Sequence, residues 1–445
     1  MSELVQENTR IIPVQVSLTR EQKEAVGLLS IGTFLEYFDL MLYVHMAVLL
    51  NELFFEPSNP FTSSLYTAFA FCSTYVLRPV GALIFGYIGD KFGRKSTVVI
   101  TTFLMGLSCF TMANLPTYAQ VGIAASVSIT ICRIIQGMSS MGEITGAQLY
   151  LTETIDIPAR YPAVATINLF VAIGTMSSLG IASLVTTYGF NWRMAFWFGA
   201  GVAILGAVAR TRLRETPDFA DAKRRIQIDF EKFNQDTKSI ERHPILREKV
   251  SIKTSIALLA LDCMWPLCFY FAYVHCANIL KYSFKYTPEQ IIHNNLIVSI
   301  VQVLSYFILI PLLHYVYPLI ILRIKLIISS IILITSPYWI NIAENAYGIL
   351  LIQILVIFFA CDASPVNSIF LKHFPVFKRF TYSSVIYAIS RALVYVITSF
   401  SFVYLVEYFG NWGILFVIIP IIIGFIFGLS CFEKLEKEEG NYPNI

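Results

Sequence analysis

Gly86-Tyr87-Ile88-Gly89-Asp90-Lys91-Phe92-Gly93-Arg94-Lys95 is a short, charged connection between two apolar runs, each long enough to cross a bilayer. Lys91, Arg94 and Lys95 mark it as cytoplasmic, because short loops rich in lysine and arginine are retained on that side. Gly86, Gly89 and Gly93 permit close backbone approach and a tight turn. Asp90, at a helix boundary, can meet an arginine or a helix N-terminus. With Arg94 it reads as an ionic latch at one mouth of a helical bundle.

Working outward, the 445 residues are 56% hydrophobic and only 14% charged. Soluble domains carry roughly 25% charged residues, so this composition belongs to a polytopic membrane protein. Apolar windows long enough to span recur at 26–50, 62–87, 96–114, 119–149, 162–188, 192–210, 254–280, 290–313, 320–340, 346–371, 381–407 and 411–431. Backbone groups in lipid must be satisfied within their own segment, so these twelve spans are expected to be helices. An outer-membrane barrel would show short alternating strands instead.

Basic residues orient the chain. With the N-terminus inside, the cytoplasmic segments hold all but six of the 32 Lys and Arg residues. Arg193, Lys281 and Lys285 fall on the opposite side, while Arg78, Arg133 and Arg391 lie within spans. Both termini are therefore expected in the cytoplasm. The net charge of +3 is an orientation signal rather than a sign of nucleic-acid binding. Residues 1–25 are polar and the first apolar run is a full span, so no cleavable signal peptide is expected. All eight cysteines fall in apolar spans, which disfavours disulfides or a metal site. With no nucleotide loop or nucleophile elbow either, neither a cofactor nor an enzyme is expected.

A charged stretch at 211–253 separates six spans from six, with Glu215-Thr216-Pro217-Asp218 reading as a helix stop and restart. The expected organisation is a cytoplasmic segment 1–25, a six-helix bundle 26–210, the central loop 211–253, a second bundle 254–432 and a solvated tail 433–445. Two such halves suit a central pathway that opens alternately to each side. Where a second latch would recur, the second half reads Leu312-Leu313-His314-Tyr315-Val316-Tyr317-Pro318.

An ionisable group at membrane depth costs about 2.5–3.5 kcal/mol on insertion scales, so each such residue needs a partner or a wet cavity. Glu36 and Asp39 lie one turn apart in the first span, and Tyr43 continues that face. Two carboxylates this close can share one proton; the alternative is a structural pair bound to Arg78 or backbone amides. In the fourth span Arg133, Gln136, Ser140, Glu143 and Ala147 fall within an arc of roughly 100° on a continuous helix. The planar fork of Arg133 suits a carboxylate, and Glu143 suits a proton or a cationic group; a salt bridge from Arg133 to the first span is the structural alternative. Arg78, beside Pro79, reads as snorkelling or paired rather than ligand-binding. Asp262, Asp362 and Arg391 are candidates for a second-half cavity, with a helix break expected at Ser364-Pro365. Trp265, Tyr270 and Tyr273 could wall a quaternary ammonium, although aromatic stripes in membrane helices more often pack or anchor.

Several stretches taken together resemble the metabolite:proton symporter branch of the major facilitator superfamily, which includes proline/betaine, α-ketoglutarate, shikimate and citrate carriers. They are Gly86–Lys95, Leu35-Glu36-Tyr37-Phe38-Asp39-Leu40-Met41-Leu42-Tyr43, Leu77-Arg78-Pro79-Val80-Gly81, Arg133-Ile134-Ile135-Gln136-Gly137-Met138-Ser139 with Gly142-Glu143, and Leu213–Phe219. The second half is similar mainly in helix count. The resemblance implies two pseudosymmetric six-helix bundles in a bacterial inner membrane, acting as a monomer on a small solute and driven by protons. It puts Glu36, Asp39, Arg133 and Glu143 at the pathway and Asp90 and Arg94 at a cytoplasmic gate. Proline or betaine is expected ahead of dicarboxylates, with an exchanger or a non-transporting sensor as rivals.

Overall fold

The computed structural model describes residues 17–443 apart from 57–58, 93, 141–142, 189–190, 212–249 and 364–365. The side chains of the expected latch (Gly86, Gly89, Asp90, Gly93, Arg94), that of Glu143, and the Glu215–Asp218 restart lie outside the described ones. Among the described residues the regular elements are all helices, and every expected span is met by a helix or a group of consecutive helices.

The first half comprises α1 (Arg20–Phe54), α2 (Pro60–Val76) with α3 (Arg78–Phe92), α4 (Arg94–Asn114), α5 (Tyr118–Val121) with α6 (Ile123–Ser139) and α7 (Glu143–Thr154), α8 (Arg160–Thr187) and α9 (Arg193–Thr211). The second half comprises α10 (Ile252–Asp262), α11 (Met264–Tyr270), a π-helical turn (Phe271–His275) and α12 (Cys276–Tyr282), followed by α13 (Pro288–Tyr315) and α14 (Pro318–Ile342). It continues through α15 (Ala346–Phe358), α16 (Asn367–Lys372), α17 (Val376–Phe409), a tight 3-10 turn (Gly410–Ile414) and α18 (Leu415–Glu438).

Local chemistry sets several of the starts. Thr19 and Gln22 exchange side-chain and backbone hydrogen bonds at the head of α1, as Thr287 and Gln290 do at α13. Asn59 caps α2 with Pro60 in the first turn, where its missing N–H costs nothing. The connections alternate ends, so α3–α4, α7–α8, α13–α14, α16–α17 and the end of α18 share the end that carries residues 86–95, called here the basic end. The opposite end is the far end.

Two expectations are corrected. The fourth span is not one helix: α6 ends at Ser139 and α7 starts at Glu143, and the Ser140 hydroxyl donates to the Gly137 carbonyl at 3.0 Å. A serine bonding its own backbone competes with the helical ladder, and Ser140 stands at the C-cap of α6, past the last helical residue, Ser139. The tail is not simply solvated. α18 runs on to Glu438, and Glu433 and Glu436 are 3% and 0% exposed. Arg323 pairs with Glu433, while His373 (2.7 Å), Lys372 (3.4 Å) and the donating Tyr317 hydroxyl (2.6 Å) satisfy Glu436. Buried carboxylates are tolerated when so partnered. The second half thus has its own ionic cluster at the basic end, although it lacks the glycine-rich motif.

Within the first half α1 packs on α8, α4 on α9, and α6 on α2 and α4; within the second, α10 packs on α18 and α17, and α15 on α13 and α14. The halves meet along two main seams, α8 against α13 and α2 against α17.

Candidate functional site

Between these seams lies a cavity of about 30 Å³ lined by Tyr37 and Met41 of α1, Tyr75 and Arg78 from either side of the α2–α3 break, and Val171 and Thr175 of α8. The second half contributes Trp265 and Phe269 of α11, Gln302 of α13, and Tyr387, Arg391 and Tyr395 of α17. At on the order of 10–15 Å³ per water, that volume admits two or three waters.

Each arginine of the cavity stacks on a tyrosine of its own half. The Arg78 guanidinium lies 4.2 Å from the Tyr75 ring centre and that of Arg391 lies 3.4 Å from Tyr387. Arg391 is also held electrostatically, with its Nη1 3.6 Å from Asp262 Oδ1 and 3.0 Å from the Ser390 hydroxyl. Arg78 differs: it is 2% exposed, yet its Nε and Nη2 have no hydrogen-bond partner among the described residues. A buried donor left unmade costs about 1–3 kcal/mol, more when charged. The α2–α3 break that presents it follows from Pro79, whose nitrogen cannot donate into the helical ladder.

The residues singled out in the first and fourth spans sit one layer behind this wall. Arg133 is 1% exposed, stacks 4.1 Å from the Tyr43 ring and donates to Gln136 Oε1 at 2.7 Å. Gln136 in turn donates to the Asp39 carbonyl at 3.0 Å, tying α6 to α1. Glu36 and Asp39 are buried; Asp39 faces α9, since a Cβ built on Gly199 would stand 3.3 Å from its Oδ1. Arg133, Gln136, Ser140, Glu36, Asp39 and Tyr43 are all absent from the cavity lining. Of the second-half candidates Arg391 lines it and Asp262 backs it, while Asp362 accepts from the Tyr306 hydroxyl at 2.8 Å. Of the three ring candidates Trp265 lines it, whereas the Tyr273 hydroxyl donates to Gln302 at 3.0 Å and Tyr270 packs towards Ser399.

Tyr37, Tyr75, Gln302, Tyr387 and Tyr395 also line the cavity, though the sequence reading did not single them out. Tyr387, Arg391 and Tyr395 recur every four residues and so share a face of α17.

Both ends of the seam are bridged. At the far end Lys281 lies 2.7 Å from Glu52, and at the basic end Arg379 lies 3.0 Å from Glu153. Asn367 also donates to Gln148 at 2.8 Å at the basic end, and the Tyr37 and Tyr387 hydroxyls meet at 2.7 Å beside the cavity. The cavity therefore lies between the two helical halves, with an ion pair joining them at each end.

The sequence profile of the Major Facilitator Superfamily matches residues 29–399. The chain belongs to this superfamily. It is therefore a multi-pass membrane transporter and not an enzyme. Among superfamily members, the proline/betaine transporter of Salmonella typhimurium is 25% identical over 443 residues, covering 95% of this chain and 84% of the relative. The inner membrane metabolite transport protein YhjE of Escherichia coli is 36% identical over 213 residues, 44% of this chain and 48% of that protein. Among solved structures, the proton:xylose symporter XylE bound to 6-bromo-6-deoxy-D-glucose aligns with a TM-score of 0.71 at 13% identity, covering 95% and 96% of the two chains. The human organic anion transporter MFSD10 aligns at 0.67 and 13%, covering 92% and 100%. At these identities the structural likeness carries the superfamily fold alone.

Proposed function

We propose that this transporter imports a small carboxylate-bearing solute together with a proton, with zwitterions of the proline/betaine kind ahead of dicarboxylates. The observation that carries the reading is the charge balance of the cavity. Arg391 has Asp262 beside it, whereas among the described residues two nitrogens of Arg78 have no hydrogen-bond partner, so the wall offers one guanidinium with donors to spare. Six rings surround it: Tyr37, Tyr75, Trp265, Phe269, Tyr387 and Tyr395. One free arginine matches one carboxylate, and electron-rich ring faces accommodate a quaternary or secondary ammonium. The similarity to proteins named proline/betaine transporters points the same way.

On this reading Arg133, Gln136, Tyr43, Glu36, Asp39 and Ser140, with Glu143, form the polar backing of the pathway. The 86–95 turn, through Asp90 and Arg94, belongs to the gate at the basic end, which faces the cytoplasm with both termini. The protein works as a monomer in the inner membrane. Purified protein in liposomes, acid outside and with no solute inside, is expected to accumulate L-proline or glycine betaine above equilibrium and to lose the accumulation on adding a protonophore. Uptake that proceeds only against internal solute would make it an exchanger and overturn the proposal.

The two end bridges give opposite expected shifts. Exposed ion pairs are worth about 0.2–1 kcal/mol, so removing one biases the open states by a few-fold at most. Lys281→Met loosens the far end, raises the outward-facing population and lowers KM for external solute up to about fivefold. Glu153→Gln loosens the basic end and raises that KM. Initial-rate uptake measures both, and shifts of the same sign would refute the assignment of the two gates.

A further inference from the structure

Behind Arg391 the second half carries a group of titratable residues beside the cavity wall. Asp262, the last residue of α10, is 5% exposed, and its carboxylate lies beside the Arg391 guanidinium. Asp362 is close enough for its charge to act on Asp262. It sits between α15, which ends at Phe358, and α16, which begins at Asn367. Discontinuous helices at mid-membrane are where transporters place coupling-ion sites. Tyr306, which donates to Asp362, is one turn from Gln302 of the cavity wall on α13, and packs with Leu169 and Ala172 of α8 at the seam. Lys325, two turns into α14 from the basic end, lies within reach of the Asp362 charge. Asp262 and Asp362 thus both stand at interruptions of second-half spans, one paired with Arg391 and the other with Tyr306 of the seam.

We propose that the coupling proton is carried by Asp262 and then Asp362, and that protonating Asp262 releases Arg391 to share the solute's carboxylate with Arg78. This rests on the proton-symport reading above. The charge balance is explicit. With Asp262 ionised, Arg391 is neutralised and a bound carboxylate has Arg78 alone. A proton arriving from outside neutralises Asp262, its ion pair with Arg391 dissolves, and the second guanidinium becomes free for the solute. After the solute departs to the cytoplasm Arg391 is again drawn to Asp262, whose proton passes to Asp362 and on to water near Lys325. Solute and proton each strengthen binding of the other, as linkage requires. Among the described residues the titratable and charged neighbours of Asp262 are Arg391 and Tyr387 of α17, Asp362 of the 359–366 break, and Cys263; α18 meets α10 through Gly424 and Gly428.

The test uses full-length protein with radiolabelled L-proline and glycine betaine. Wild-type affinity is expected to weaken with rising pH, by up to about tenfold per unit once Asp262 ionises. Asp262→Asn, a permanent mimic of the protonated acid, should bind at pH 8 as wild type does at pH 6, and should keep solute exchange. It should lose acid-driven accumulation, and Asp262→Glu should restore it. Asp362→Asn should likewise exchange without accumulating. Membrane content is measured for each variant, and Asp262→Glu and Asp362→Asn separate a coupling defect from failure to fold. Acid-driven accumulation by Asp262→Asn, pH-dependent binding in that variant, or the same uncoupled signature in Glu36→Gln or Asp39→Asn instead would overturn the proposal while leaving proton symport intact. Absence of gradient-driven uptake in wild type removes both.

Discussion

Arg78→Ala is expected to cut uptake at limiting solute by about 100-fold, almost entirely through KM. A charge-assisted hydrogen bond is worth roughly 1.5–3 kcal/mol, and two made by one guanidinium to a carboxylate reach about 3 kcal/mol, near 100-fold in affinity at 1.4 kcal/mol per decade. The protein should still insert at normal levels. Removing Arg78 leaves no described partner stranded, because its Nε and Nη2 have none, and the loss of stacking on Tyr75 is minor. Arg78→Lys keeps the charge without the fork and should recover about tenfold of the loss. Arg133→Ala provides the contrast. Arg133 is wedged between Tyr43 and Gln136 in the interior of the first half, so its removal should lower stability and membrane content more than it changes KM. If direct-binding measurements show affinity lost in Arg133→Ala and kept in Arg78→Ala, the carboxylate grip lies at Arg133 and this assignment of the cavity fails.

The contrast between the two arginines shows which features were legible in the sequence. The twelve spans followed from the apolar windows because lipid leaves the backbone no alternative to a helix. The charged residues inside spans were found for the same reason: each costs free energy and so stands out. Helical spacing says which residues share a face but not which neighbour that face meets. Glu36 and Asp39 share one by spacing, yet Asp39 turns to Gly199 of α9, a partner some 160 residues away that periodicity cannot name. Pro79 made Arg78 look like a snorkelling residue, whereas the break that Pro79 creates is what turns the guanidinium to the cavity. The aromatic wall was written in the Tyr387–Arg391–Tyr395 spacing but hidden among 24 tyrosines. Glu433 and Glu436 resembled a solvated tail because their partners, Arg323, Lys372 and His373, come from two other connections at the same end.

Gly137→Ala is expected to destabilise the first half by about 3 kcal/mol or more, above the usual 1–3 kcal/mol range for overpacking, because the obstacle is backbone. A Cβ at Gly137 would run into the Thr74 carbonyl oxygen, and one at Gly81 would stand 2.5 Å from the Met138 carbonyl. These two contacts bring α6 and the α2–α3 pair together backbone to backbone, the close approach that small residues permit in membrane bundles. Side chains could rotate away from an added methyl, but a carbonyl fixed in its helix cannot, so the helices must part. Because Tyr75 and Arg78 follow Thr74 in the chain, any parting also displaces the cavity wall. Thermal unfolding of detergent-purified protein should therefore show a lowered Tm together with reduced solute affinity. Gly180→Ala serves as the control: an added Cβ there meets nothing within 4 Å, and alanine's higher helix propensity should leave stability equal or slightly raised. A Gly137→Ala protein that melts with wild type would mean that α2 and α6 can separate freely, and the rigid placement of Arg78 would then lose its structural basis.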